Sequence, residues 1–326
     1  MDAGPDEDAG PGIGRTHLSG PLLAAALAAP LLLLAGLVYL ATSVSLFTGG
    51  PSAARADTLP LAKARAFDAR AAYRLTAEQV RYGQRPAGSP QLARLAERLR
   101  PLLPDGRFEP LPGSTAAKPL RNIVGTLPGT KPAIVIGAHY DTLVKPKGFV
   151  GANNGAAGSA IVIEVARALR ALRRPAGAPE LKFVLFDGEE PDAGLPEEQA
   201  DFYHAGLRGS RAYVARHPGQ TRAMLLLDYV GGRRLQLPRE GSSDRALWGD
   251  VRAAATRAGV AAVFPDRTGV LIQDDHTPFL RAGVPAVDFI DWSYPGHTLK
   301  DGMKRIDVRA LDAVGETVVA YLRGVR

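Results

Sequence analysis

The chain reads as an α/β protein, a three-layer α/β/α sandwich around a twisted, mostly parallel mixed sheet. Three observations predict this. Short apolar runs without helical phase, such as Phe183-Val184-Leu185-Phe186, alternate with amphipathic helical stretches. The runs are apolar on successive residues, as in strands covered on both faces. Polar residues collect where the runs stop, and in open α/β sheets ligands bind at the carboxyl ends of the strands.

The amino-terminal part stands apart from this pattern. Residues 1–20 are rich in Gly, Pro and Asp and read as a disordered tail. No charged residue occurs from Leu18 to Ala54. The Leu- and Ala-rich stretch from Leu22 to Phe47 exceeds the ~20 apolar residues that cross a bilayer. Residues 21–48 are therefore expected to be a transmembrane helix that anchors the chain, and 49–60 a linker. Arg15 precedes the span, while Arg55, Lys63 and Arg65 follow it, a bias that by itself would keep the folded part inside.

Residues 61–326 are expected to form the single folded domain. Ala, Leu and Val at helical spacing predict a helix over 61–82. The breaker Gly83-Gln84-Arg85-Pro86-Ala87-Gly88 ends it, and Ser89 with Pro90 caps and starts the next, to about Leu103. Strands are expected at 121–126 and 133–138 around the turn Pro128-Gly129, then a helix over 155–172. The central strand that ends at Phe186 follows. Then come a short helix at 209–217, a buried strand at 223–230, a helix at 245–258, a strand at 286–290 and a closing helix at 307–322.

Composition narrows the chemistry. The chain has no cysteine, so a metal would have to be held by His and carboxylates. The net charge of +7 comes from scattered Arg, with no basic block interleaved with aromatics and hence no nucleic-acid footprint. His139 and Asp141 follow one strand, Glu189 and Glu190 the central one, and Asp228 closes the next. Asn153 and Asn154 lie in a Gly-rich loop before a helix; Asp274, Asp275 and His276 open another, and His297 follows the last strand. Several strand ends offering His or carboxylate form the ligand chemistry of a catalytic zinc. Glu189 and Glu190 are adjacent and cannot share one role: one can bind metal while the other takes a proton.

Five segments in order carry a resemblance: Gly137-Ala138-His139-Tyr140-Asp141-Thr142, Phe149-Val150-Gly151-Ala152, Phe186-Asp187-Gly188-Glu189-Glu190, Asp275-His276-Thr277-Pro278-Phe279 and His297-Thr298. From about Phe67 onward the chain resembles the zinc aminopeptidase and glutaminyl cyclase superfamily, metallopeptidase family twenty-eight. The resemblance implies a zinc-exopeptidase-like fold. It also implies a zinc site with Asn154, Glu190 and His297 as ligands and Glu189 as general acid/base. His139 and Asp228 match second-metal ligands, and Asp141 and His276 stand behind the ligands and orient them.

Two branches compete: one-zinc cyclases that convert N-terminal Gln to pyroglutamate, and two-metal aminopeptidases. The run Ile272 to Arg281 and the insertion before Gly209 look like the cyclase branch, in which Asp228 and Asp274 match acidic catalytic residues. Asn154 stands where the family has Asp, and Gly296 where the cyclases have Trp, with Trp292 or Tyr294 as replacement pocket walls. These departures open a third reading, a catalytically silent relative. The implied partners are peptide or protein N-termini and, through the anchor, a membrane, with the catalytic domain outside the cytoplasm.

Overall fold

The computed structural model describes residues 58–192 and 202–325. The expected tail, anchor and linker up to residue 57 lie outside the described residues, as do residues 193–201 of the insertion before Gly209. Among the described residues no helix is long and apolar enough to cross a membrane.

Six strands form one mixed sheet: β1 (Arg107–Pro110), β2 (Arg121–Leu127), β3 (Thr130–His139), β4 (Pro179–Phe186), β5 (Thr221–Asp228) and β6 (Ala286–Ile290). Their spatial order is β1-β2-β4-β3-β5-β6. The four strands β4, β3, β5 and β6 run parallel, and β1 and β2 add an antiparallel edge. The helices are α1 (Ala69–Val80), α2 (Pro90–Leu99), α3 (Gly158–Ala171), α4 (Phe202–Ala205), α5 (Arg208–Arg216), α6 (Arg245–Ala258), α7 (Thr277–Arg281) and α8 (Val308–Gly324).

Alternation along the strands sorts side chains into two cores. Ile134, Ile136, Phe183, Leu185, Leu225 and Leu227 meet α1, α3, α6 and α8 on one face. Val135, Val184, Phe186, Met224 and Leu226 meet Tyr213 of α5 and Phe279 of α7 on the other. A strand buried on both faces must be apolar at every position, which is the pattern these runs carry.

Among the helices, three boundaries differ most from expectation. The first helix starts at Ala69, capped by the Asp68 carboxylate, and not at Leu61. Residues 61–67 instead lie along α8: Ala62 N–H donates to Asp312 and Phe67 N–H to Glu316. Their apolar spacing serves docking and not a helix. The second helix stops at Leu99 because Pro101 cannot continue it, and a single 3₁₀ turn follows. Ahead of α3, residues 152–157 form a π turn with non-helical backbone at Asn154 (φ −82°, ψ 94°) and Gly155 (φ 96°, ψ −42°).

The register places the functional groups. His139 pairs with Phe186, and Gly137 with Leu226, so His139, Asp228 and the turn after Phe186 arrive at one level. That level is the carboxyl end of the four parallel strands.

Candidate active site

The turn after β4 is built by Gly188 at φ +72°, a backbone state that costs glycine nothing. Asp141 holds the turn from below. Its two oxygens accept the N–H groups of Glu189 (3.3 Å) and Glu190 (3.2 Å). From above, Arg208 donates to Gly188 O (3.3 Å), Glu190 O (3.0 Å) and Asp192 (2.6 Å). Asp187 turns away from the opening and accepts from Arg121 N–H at 2.7 Å.

His139 sits among three carboxylates. Its Nδ1 is 3.4 Å from Asp141 Oδ1 and 3.6 Å from Glu189 Oε2, and its Nε2 is 3.6 Å from Asp228 Oδ1. Burial would lower the imidazolium, but these carboxylates outweigh it and hold His139 well above the ordinary histidine range. Burial pushes Glu189 well up, with the charges of Glu190, Asp274 and Asp275 adding and His139 opposing. Burial raises Glu190 to about 8 and Asp274, helped by Asp228, to about 7. A carboxyl lifted toward neutrality is the kind of group that takes and returns protons near pH 7.

The π turn delivers Asn154. Asp301 accepts the backbone N–H groups of Asn153 (2.9 Å) and Asn154 (3.0 Å), and Tyr294 donates its hydroxyl to the same carboxylate at 2.6 Å. The Asn154 side-chain amide donates to Glu190 Oε1 at 2.7 Å and to the Tyr229 hydroxyl at 3.5 Å. His297, about a quarter exposed, places Nε2 3.7 Å from Glu190 Oε1, and burial lowers its pKa to about 4, so the ring is a neutral donor.

A metal can be tested against these residues. Two ligands of one tetrahedral zinc lie about 3.3 Å apart, given bond lengths of ~2.0–2.1 Å. The His297–Glu190 spacing is close to that, and Glu190 Oε2 is buried without a hydrogen-bond partner. Among the described residues no three His, Asp or Glu side chains converge into a ligand set, so the third donor would have to be Asn154. Its donor end faces Glu190, and a half-turn of the amide presents the oxygen instead. The residues thus fit one cation, with a neutral third ligand. His139 and Asp228 have ligand-like spacing too, but two adjacent dications need a shared anion between them, which an amide is not.

The remaining predicted residues separate into those at the opening and those beneath it. Asp274 accepts from Asp275 N–H and leaves Oδ2 buried and unpaired. Ser210 donates to Asp275. His276 faces the far side: its Nε2 lies 2.9 Å from Ser242 Oγ and 3.2 Å from Glu240, pinning the Asp274-Asp275 segment and not a metal ligand. Hydrogen bonds from His276, Ser242 and Ile272 outweigh burial and hold Glu240 down at about 2.

The wall at Gly296 is neither Trp292 nor Tyr294. A Cβ on Gly296 would stand 2.2 Å from the tip of the Tyr229 ring, which fills that space. Trp292 and Tyr294 back this ring at 6.2 Å and 5.7 Å between centroids. Sequence reasoning missed Tyr229, Asp301, Glu240 and Arg85. Arg85 is fully buried and donates to the carbonyls of Tyr140 (3.1 Å), Val150 (2.5 Å) and Gly151 (3.2 Å). The one available signal was an Arg inside a Pro- and Gly-rich turn, and it points to no partner.

Residues 122–322, more than half of the chain, match the profile of peptidase family M28. The chain belongs to that family. Within it the likeness is to the cyclase branch. The glutaminyl-peptide cyclotransferase of Bos taurus is 28% identical over 235 residues, 62% of this chain and 65% of that protein. The chain thus spans just under two thirds of that relative's length. The glutaminyl cyclase of Porphyromonas gingivalis superposes with a TM-score of 0.69 at 27% identity, over 79% of this chain and 99% of that one. A zinc-dependent exopeptidase from Parabacteroides distasonis superposes with a TM-score of 0.65 at 25% identity, over 79% and 98%.

Proposed function

We propose that this M28 chain converts N-terminal Gln of peptides to pyroglutamate. The observation that carries the reading is Asn154, a neutral amide between Glu190 and Tyr229, which suits one cation and not two. Zinc held by Glu190, His297 and the Asn154 oxygen would act there as a Lewis acid on the Gln side-chain carbonyl.

The protein's own groups handle the proton. The substrate α-amine attacks the side-chain amide carbon, a C–N bond forms, the bond to the amide nitrogen breaks, and ammonia leaves. Glu189 takes the proton from the α-amine and returns it to the departing nitrogen, so no net acid or base is consumed. Burial among like charges gives Glu189 the basicity for both steps. In this reading Asp228, 3.6 Å from His139, and Asp274, with its Oδ2 unpaired, would be the acceptors for the substrate nitrogens.

A second reading, an aminopeptidase, is favoured by the His139–Asp228 pair at 3.6 Å, whose His139 Nε2 has no hydrogen-bond partner. One assay separates them. Purified zinc-supplemented protein is given Gln-initiated and Leu-initiated peptides and the products are weighed by mass spectrometry. Loss of ammonia from the Gln peptide alone is the expected result. Release of free Leu overturns it in favour of the peptidase, and no turnover with no bound zinc in favour of a silent relative.

We also propose that residues 21–48 anchor the chain, from the uncharged run between Leu18 and Ala54, and that the enzyme lies outside the cytoplasm, as the family resemblance implies and against the weak charge bias of Arg55, Lys63 and Arg65. Membrane fractionation and protease treatment of intact cells test it: a soluble or protected protein overturns the proposal.

A further inference from the structure

We propose that Tyr229 is a catalytic residue, its phenol donating a hydrogen bond to the oxygen of the carbonyl under attack. This rests on the cyclase reading and adds a group to it.

Four observations place the phenol at the reaction. Tyr229 directly follows Asp228 at the end of β5 and has φ +48°. A bulky residue in the left-handed region costs about 1 kcal/mol or more and persists only where the surroundings impose it. The imposed turn carries the side chain back toward the Asn154–Glu190 pair. Second, the ring is clamped on several sides, by Trp292 at 6.2 Å, Tyr294 at 5.7 Å and His297 at 6.0 Å between centroids. Its position is therefore fixed before substrate arrives.

Third, the hydroxyl stands 3.5 Å from the Asn154 amide, at the edge of hydrogen-bond range, and shows no other hydrogen-bond partner among the described residues. A buried hydroxyl usually spends its donor. With only this long contact, the phenol hydrogen can be given to a group bound beside Asn154 and Glu190. Fourth, the phenol tip stands where a side chain at position 296 would be, 2.2 Å from the Cβ site of Gly296, the residue before His297. Gly296 is thus what admits the hydroxyl to the space beside His297.

The chemistry follows from these placements. As the α-nitrogen bonds to the amide carbon, charge moves onto the carbonyl oxygen. A preorganised donor at that oxygen stabilises the charge without giving up its proton, and the charge returns to the carbonyl when ammonia leaves. Removing one such donor costs about 10²–10³-fold in kcat.

The test is Tyr229→Phe, which keeps the ring and its packing. With a Gln-initiated peptide, kcat should fall about 10²-fold with KM within about twofold, the mark of a contact made only in the transition state. Gly296→Ala leaves residue 229 as Tyr but puts a Cβ 2.2 Å from the phenol tip, so the ring must move from its place and kcat should fall as well. Thermal melts of both variants check that they fold. A Tyr229→Phe enzyme with wild-type kcat, or one whose loss lies wholly in KM, overturns the inference and leaves the cyclase reading standing. A wild-type protein that fails to cyclise the peptide overturns both.

Discussion

In the proposed one-cation site, the charge missing at position 154 would set how firmly the cation is held. Asn154 gives a donor hydrogen to Glu190 at 2.7 Å where a carboxylate would give a second anion. Asn154→Asp should raise zinc affinity at least about tenfold and speed turnover, since a carboxylate is a far better zinc ligand than an amide. Zinc content and turnover of the two proteins are the measurements, and equal values in both would show that the missing carboxylate limits nothing. Because Asn154 precedes Gly155, aged protein belongs in the comparison: any deamidation to Asp should move it toward the variant. The neighbouring glutamates should separate by role. Glu189→Gln should lose about 10²–10⁴-fold in kcat and keep its metal, whereas Glu190→Gln should lose the metal. Zinc lost from the Glu189 variant would mean the roles are reversed.

The element that carries Asn154 is held by a side chain from another. Arg85, in the turn between α1 and α2, reaches under the end of β3 and fixes the carbonyls of residues 150 and 151 just before the π turn. Burial lowers its guanidinium to about 10, and the carboxylates of Asp141 and Asp301 oppose the loss of charge. Arg85→Ala would take the charged donor from the carbonyls of Tyr140, Val150 and Gly151, of which Gly151 alone keeps a second donor in the Ala156 N–H, and hydrogen bonds to a charged group are worth about 1.5–3 kcal/mol each. The expected cost is about 3 kcal/mol or more, read as a lower urea midpoint at unchanged slope. Arg85→Lys should not rescue it, because one ammonium cannot fork to carbonyls on separate segments. A midpoint within error of wild type would show that the π turn holds itself.

Across the whole molecule, the buried carboxyls make stability depend on pH. Asp187 and Glu190 are raised to about 8 and Asp274 to about 7, against about 4 in an unfolded chain. The stability that goes with a raised carboxyl is present below about pH 4 and is lost as pH rises through its folded value. His139, also raised, acts in the same direction. His297, lowered to about 4, acts oppositely and loses stability as pH falls from about 6.5. Because the raised carboxyls outnumber His297, metal-free protein should melt highest at the acid end of this range, near pH 5, and progressively lower toward pH 9. A cation that binds only the folded state should offset the alkaline loss. Calorimetric melts from pH 5 to 9, with and without zinc, check this, and a flat metal-free profile would refute it.

What the sequence determined by itself was whatever repeats locally or travels as a contiguous motif. Apolar runs such as 183–186 marked strands covered on both faces because burial on two sides leaves no polar position. Ser89 with Pro90, and the boundaries of α6 and β6, were equally legible, since caps and breakers act within a few residues. His139, Glu189, Glu190, Asp228 and His297 could be named because each sits in a motif at a strand end. The tertiary structure decided the rest, through contacts far apart in the chain. Arg-Phe-Glu-Pro at 107–110 has no strand pattern and becomes β1 only by pairing with β2. Residues 61–67 follow the surface of α8, some 250 positions away. The Tyr229 ring fills the space above Gly296, and Asp301 and Arg85 tie down a loop that neither adjoins. Such partners leave no periodicity to read, because their spacing is set by where the sheet brings its ends together.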